Sequence, residues 1–288
     1  MTTEDKIDNM EEPIIDEQQK NYKKKIRLII IVSGSLALIL IITLILIFSL
    51  KDNGEQEQEK EKDNDYKRYD DIHIYIDPTD TYKYCIIWLH GLDNCPENYV
   101  DLFTKQNISI PFPNNTRIIL MRAPKMNVTY NHEVVTSWFD ILSFPINSTE
   151  SYNFEDAKIS SNSIREVVEQ EVKLLNGHYE NIFVGGHSQG ACISLLNGYN
   201  SIYRLGGIIV CSGILFPETE IIGDKSSLNV FLGHGDGDRA IPFSFHKETV
   251  KRIENNPGVR KYYYQGHGHS ISQQEKKDIS AFLHEIMK

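Results

Sequence analysis

The pattern of apolar and polar positions divides the chain into three parts. Residues 28–50 carry no charge, and 17 of those 23 residues are Leu, Ile, Val or Phe. At roughly −0.3 to −0.6 kcal/mol for each such side chain in a bilayer, insertion is favoured by about 5 to 10 kcal/mol before Ser, Thr and Gly are set against it. A run of this length spans a membrane. A cleaved leader would instead have an apolar region of about 7 to 15 residues ending in a small-residue cleavage site, so Leu28 to Leu50 is expected to be a retained signal anchor within a segment 26–50. Residues 1–25 are polar and expected to be disordered. Residues 51–70 are nearly all Lys, Glu, Gln, Asp and Asn without an aliphatic side chain, so they bury too little to order themselves and read as a flexible charged linker.

From residue 71 short apolar runs alternate with amphipathic ones. Strands are expected over Ile72 to Ile76, Tyr84 to Leu89, Arg117 to Met121, Asn181 to Gly185, Gly206 to Cys211, Leu228 to Gly233 and Lys261 to Gln265. Between them, Ser161 to Leu175 places Ile164, Val167, Val168, Val172 and Leu175 on one helical face. Helices are also expected over Ala191 to Tyr199, Ser244 to Ile253 and Ser272 to Met287. This alternation implies an α/β fold, with a mostly parallel sheet covered by helices on both faces, in one domain over residues 71–288.

One junction in that pattern carries chemistry. Gly186-His187-Ser188-Gln189-Gly190 is a G-x-S-x-G set between the apolar strand Asn181 to Gly185 and the helix from Ala191. A strand entering a helix through a single residue strains that residue and exposes its side chain, and only small neighbours leave room for the turn. Ser188 is therefore the candidate nucleophile. A serine hydroxyl is weak by itself and needs a base, with a third group to orient that base.

Both occur downstream, in the order acid then histidine. The strand ending at Gly233 runs into His234-Gly235-Asp236-Gly237-Asp238, where an open α/β sheet places its chemistry. Asp238 is favoured over Asp236 because the apolar Ala240-Ile241-Pro242 that follows can pin it, whereas Asp236 suits a turn. Four histidines follow Asp238. His246 and His284 fall in helical stretches; His267 and His269 lie in the Gly-rich loop before the last helix. His269, beside the helix start and after flexible Gly268, is favoured. The developing oxyanion requires backbone donors, expected from Gln189, after the nucleophile, and Leu92, in the loop His90-Gly91-Leu92-Asp93-Asn94. His90 and His187 read as structural. Only 50 positions separate Ser188 from Asp238. One strand and two helices fill most of them, leaving no room for a large lid and suggesting an open groove.

Five blocks in this order, Leu89-His90-Gly91-Leu92, Ser137-Trp138-Phe139-Asp140, Gly185 to Ala191, His234 to Asp238 and Gly266 to Ser270, resemble the acyl-protein thioesterase and carboxylesterase family of α/β-hydrolases. The resemblance covers about Tyr84 to Lys288. It implies Ser188, Asp238 and His269 as a catalytic triad, Leu92 and Gln189 as oxyanion amides and Trp138 in the substrate-facing wall. It implies a serine hydrolase removing fatty acyl groups from thioesters or esters, the substrate being an acylated protein or a lipid ester. The rivals are a general carboxylesterase or lysophospholipase and a catalytically inactive binding ectodomain of the same fold. The loop after His90 departs from the family, whose glycine is usually followed by an acid, and the first 70 residues match nothing in it.

Charge bears on topology and partners. Lys20, Lys23, Lys24, Lys25 and Arg27 precede the apolar run, against Lys51, Lys60 and Lys62 beyond it, a bias that places the amino terminus in the cytosol and the hydrolase in a lumen or outside the cell. Sequons at Asn107, Asn114, Asn127 and Asn147 agree with a glycoprotein on that side. A net charge of −10 disfavours nucleic acid as a partner. Cys85, Cys95, Cys192 and Cys211 lack C-x-x-C spacing, so no zinc site is expected. Neither a phosphate loop nor a dinucleotide fingerprint occurs, and no cofactor is expected.

Overall fold

The computed structural model describes Lys24 and residues 67–69, 73–104 and 110–288, with the backbone alone at 67–69. The anchor expected at Leu28 to Leu50, the tail apart from Lys24, residues 51–66 of the linker and the sequon Asn107 lie outside the described residues. Among the described residues no helix is long and apolar enough to cross a membrane.

The described strands of the main sheet are β1 (Lys67–Tyr69), β2 (Ile74–Ile76), β3 (Tyr84–Leu89), β4 (Thr116–Met121), β7 (Ile182–His187), β8 (Gly207–Cys211), β9 (Asn229–Gly235) and β10 (Val259–Tyr264). Their order is β1-β2-β4-β3-β7-β8-β9-β10. Pairing is parallel from β4 through β10 and antiparallel at β1–β2 and β2–β4, so this is the expected mostly parallel sheet. The central strands are buried on both faces, which is why they read as continuous apolar runs. Successive residues of one strand serve opposite layers. Ile87 and Leu89 join the layer of α2 (Phe154–Leu174) and α3 (Gln189–Tyr199). Ile86 and Trp88 join that of α1 (Val100–Thr104) and α5 (Gln273–Ile286). Register aligns the carboxyl ends: Leu89 pairs with Gly186, His187 with Cys211, Cys211 with Gly233 and Tyr264 with Gly235. The loops after β7, β9 and β10 therefore emerge on one edge.

Three expectations need correction, and one element is new. The linker does not extend to residue 70, because β1 adds residues 67–69 to the edge of β2; edge pairing uses backbone groups, so a polar composition does not exclude it. α2 begins at Phe154, seven residues before the expected start, because Asn153 accepts hydrogen bonds from the amides of Glu155 and Asp156 and caps it. Residues 212–228 form neither helix nor strand, so only one helix, α3, lies between Ser188 and Asp238. Gly213, Pro217 and Gly223 break the apolar run there. An unforeseen hairpin, β5 (Lys125–Val128) with β6 (Glu133–Thr136), follows β4. The remaining described helix, α4 (Phe243–Ile253), packs on β9.

Candidate active site

Ser188 sits between β7 and α3 with φ 58° and ψ −121°, a left-handed conformation that costs energy for any residue with a Cβ. The surrounding packing enforces it. A Cβ on Gly186 would lie 2.6 Å from the Leu89 oxygen, and one on Gly190 only 2.2 Å from that oxygen, so β3 and the turn approach too closely for side chains at either position. The Ser188 amide donates to Cys211 O at 3.0 Å and the Ser188 carbonyl accepts from Cys192 N at 3.1 Å, which locks the turn and starts the helix.

The hydroxyl meets a complete relay. Ser188 Oγ is 2.7 Å from His269 Nε2, and His269 Nδ1 is 2.7 Å from Asp238 Oδ2. A carboxylate only accepts, so Nδ1 carries the proton and Nε2 is free to take one from Ser188. The Asp238 side chain is fully buried, whereas that of His269 is 22 % exposed. Burial pushes the Asp238 carboxyl up, but the hydrogen bond and charge of His269, the Ile241 amide and His234 outweigh it and hold it below the usual carboxylate range. Its Oδ1 accepts from the amides of Ala240 at 2.8 Å and Ile241 at 3.0 Å.

The competing residues lie elsewhere. Asp236 accepts from the Gly266 amide at 2.6 Å on the surface, joining the acid loop to the histidine loop. His267 Nε2 contacts Ser270 O at 2.8 Å. His246 is buried behind the acid loop and His284 is on the exposed face of α5.

The amides of Leu92 and Gln189 enter no hydrogen bond among the described residues, and both border the nucleophile. A Cβ on Gly91 would be 3.3 Å from Ser188 Cβ, which puts the Leu92 loop against the serine. His90 supports this loop from behind. Its Nε2 accepts from Ala123 N at 3.0 Å and its Nδ1 donates to Gly91 O at 2.7 Å, while burial holds its pKa below the usual histidine value.

Trp138 corrects the expectation of a substrate-facing wall. It is 2 % exposed, and its indole N–H donates to His90 O at 2.8 Å, so it braces the Leu92 loop from the interior. The side chain of Gln189 also has a role the sequence did not reveal. Its Oε1 accepts from the Trp138 amide at 3.1 Å and its Nε2 donates to Phe139 O at 2.9 Å, fastening Ser137 to Phe139 onto the elbow. The available signal was a long polar residue opening an otherwise apolar helix. His187 packs its ring against His269 with centroids 5.0 Å apart; burial, then the nearby His269 charge, lower its pKa to about 3, so it stays neutral beside the relay.

A cavity of about 330 Å³ lies beside His187, lined among others by Asn94, Tyr99, Leu102, Ile271 and Lys276. A larger depression of about 870 Å³ lies at the amino ends of the strands, against Tyr84, Gly206 and Asn229, the edge opposite Ser188. No cluster of His, Cys, Asp and Glu among the described residues could hold a metal. Cys85, Cys192 and Cys211 are buried free thiols and Cys95 is half-buried.

This arrangement can perform nucleophilic acyl transfer: an activated hydroxyl, a base whose tautomer is fixed, and backbone donors beside the nucleophile. The description phospholipase/carboxylesterase belongs to the family model that matches residues 71–287. Acyl-protein thioesterase 1 of Cryptococcus neoformans is 28 % identical over 237 residues, covering 75 % of this chain and 98 % of that protein. Acyl-protein thioesterase 1 of Saccharomyces cerevisiae is 29 % identical over 210 residues, covering 69 % and 90 %. Among solved structures, Arabidopsis thaliana SOBER1 superposes with a TM-score of 0.60 at 25 % identity, covering 72 % of this chain and 100 % of that one. Zea mays acyl-protein thioesterase 2 gives 0.59 at 20 % identity, over 75 % and 99 %, a likeness of fold.

Proposed function

The chain belongs to the phospholipase/carboxylesterase family and is a serine hydrolase, and on that premise we propose that it is a membrane-anchored enzyme of the acyl-protein thioesterase type, cleaving single fatty acyl thioesters or esters with Ser188, His269 and Asp238 as its triad. The observation that carries this reading is the unbroken 2.7 Å contacts from Ser188 Oγ through His269 to Asp238, with Ser188 in the strained turn.

In the proposed reaction Ser188 Oγ attacks the acyl carbonyl carbon while His269 Nε2 takes its proton. Asp238 keeps Nδ1 protonated and stabilises the imidazolium. The Leu92 and Gln189 amides hold the oxyanion. On collapse of the tetrahedral intermediate, His269 returns the proton to the departing sulfur or oxygen. Water, deprotonated by His269, then attacks the acyl-enzyme and releases the fatty acid and Ser188. The leaving atom must reach His269 Nε2, so the leaving group belongs on the His187 side of the serine, where the cavity lies. The partly exposed His269 suits an open groove for one flexible chain, with each buried methylene contributing about 0.8 kcal/mol.

The anchor reading rests on the uncharged run Leu28 to Leu50, and the lumenal or extracellular placement on the basic residues before it. Exposure of the acceptors Asn114, Asn127 and Asn147 supports the same side. On that side natural substrates would be lipid esters, lysophospholipids or translocated acylated proteins. With the anchor reversed, depalmitoylation of neighbouring membrane proteins becomes the first choice.

The test uses the full chain in detergent, with acyl thioesters and oxygen esters of graded length. Ser188→Ala should lower turnover by about six decades and abolish fluorophosphonate labelling without unfolding the protein. Rates that do not rise beyond the acetyl ester would overturn the fatty acyl reading. Protease protection showing Lys288 in the cytosol, without a glycosidase-sensitive mass, would overturn the placement.

A further inference from the structure

His234 is the penultimate residue of β9, the strand that leads into the acid loop, and its ring is fully buried. It touches none of the reacting atoms, yet its Nε2 lies 2.9 Å from Ile241 O and 3.5 Å from Asp238 Oδ2. Both neighbours are acceptors, so Nε2 must carry the proton and His234 is a donor there. Ile241 is thereby held at both ends. Its amide donates to Asp238 Oδ1 at 3.0 Å and its carbonyl accepts from His234. The loop from Gly235 to Ile241 is thus closed on the strand that launched it, with the carboxylate inside.

The ring is packed among other rings. His246 of α4 stacks on it at 4.2 Å and 28°, and Phe243 flanks it at 6.0 Å. Tyr263 of β10 meets the His246 ring edge-on. His246 Nδ1 lies 3.3 Å from Gly213 O, which ties the stack to the loop after β8. The charged and titratable groups that face His234 are Asp238, His269 and His246. Burial first, and for His246 also the neighbouring His234, lower both pKa values, that of His246 to about 3. The distinction matters chemically. A protonated His234 would form its own ion pair with Asp238 and compete with His269 for the carboxylate, whereas the neutral ring holds the loop and leaves the charge to the base.

The geometry points to His234 as a positioning residue of this hydrolase: stacked on His246 and donating through Nε2, it sets the loop that aims Asp238 at His269. The inference rests on the triad reading given under Proposed function. It accounts for the unbroken run from His234 to Asp238, of which that reading uses only the last residue.

The test compares His234→Phe, which keeps a ring and loses the donor, with His234→Gln, whose amide nitrogen reaches where Nε2 stood. Both are made in the full chain and assayed with one fatty acyl ester. His234→Phe should lose about tenfold to a hundredfold in kcat, the scale of a small displacement in a catalytic array, with KM unchanged. The acid limb of its pH profile should move to lower pH, because a carboxylate no longer aimed at His269 stabilises the imidazolium less. His234→Gln should stay within tenfold of the native enzyme, with the native profile. Native kcat in His234→Phe, or a loss of KM alone, would overturn the inference, as would equal losses in two folded variants. If His234→Phe does not fold, ¹⁵N spectra of the native histidines decide the matter. A neutral His234 protonated on Nε2 at pH 7 is expected, and a proton on Nδ1 or an imidazolium would overturn it. Ser188→Ala separates the two readings, since full activity there removes the triad itself.

Discussion

Asp238 and Glu275 are both buried acids at the same edge of the sheet, in very different environments: Asp238, on the loop after β9, bonds the His269 ring, and Glu275 lies in the first turn of α5, six positions beyond His269 in the chain. Asp238 is surrounded by donors. Ala240 and Ile241 amides satisfy one oxygen and His269 the other, so the ionised form wins despite burial. Glu275 is 1 % exposed and serves the start of α5. Its amide donates to Ser272 Oγ at 3.0 Å, and its Oε2 accepts from the Ser272 amide at 3.3 Å in return. Its other oxygen meets no N–H or O–H donor among the described residues, only the weak Cys211 thiol favours the charged form from the side, and this oxygen faces Gly233 so closely that a Cβ there would lie 2.4 Å away. Burial therefore prevails and raises its pKa to about 7. The pair shows that depth by itself does not decide whether an acid is charged; the number of donors aimed at it does.

The sharpest way to break this comparison is to remove the charge from Asp238. Asp238→Asn keeps the size and loses the acceptor that holds the His269 tautomer, so kcat should fall about 10⁴-fold, measured on a soluble fatty acyl ester with circular dichroism as the fold control. Activity within a hundredfold of native would mean that the buried charge is not used.

The second test acts on stability. Glu275 is more readily protonated in the fold than in the unfolded chain, whose ordinary value is 4.5. Its contribution is thus fully favourable below about pH 4.5 and is lost as pH rises to about 7. Glu275→Gln removes that loss. It should leave kcat within about threefold while stabilising the protein at pH 8 by up to about 3 kcal/mol, the worth of the shift, with little difference near pH 4.5. Denaturant titrations of the full chain in detergent across this range give the result, and a pH-independent difference would contradict the assignment of burial as the cause.

The smallest effect is expected at the neighbours the relay does not use. Asp236→Asn and His267→Ala alter surface contacts, so each should change stability by about 0.5 kcal/mol or less and leave kcat within about threefold. An essential Asp236 or His267 in the same assay would transfer the roles of Asp238 or His269 to them.

The elbow was readable because its constraints are local: strand, turn and helix are consecutive, and Gly186 and Gly190 stand where Leu89 leaves no room for a Cβ. The sheet was readable for a similar reason, since strands buried on both faces must be apolar throughout. The hairpin over residues 125–136 was not, because β5 alternates over only Lys125 to Val128 and its partner β6 does not alternate, leaving Val134 exposed. Nor was β1, which pairs through backbone atoms.

Residue types and their order by themselves determined the α/β alternation, the strained serine and the choice of a carboxylate followed by a histidine. Tertiary structure alone decided how those groups are held: Gln189 fastened to Trp138 and Phe139 across about fifty residues of chain, Trp138 turned inward, His234 stacked on His246, and Asp238 charged where Glu275 is not. These outcomes depend on which donors and rings arrive from distant elements, and on how little water remains between them. Spacing along the chain encodes neither.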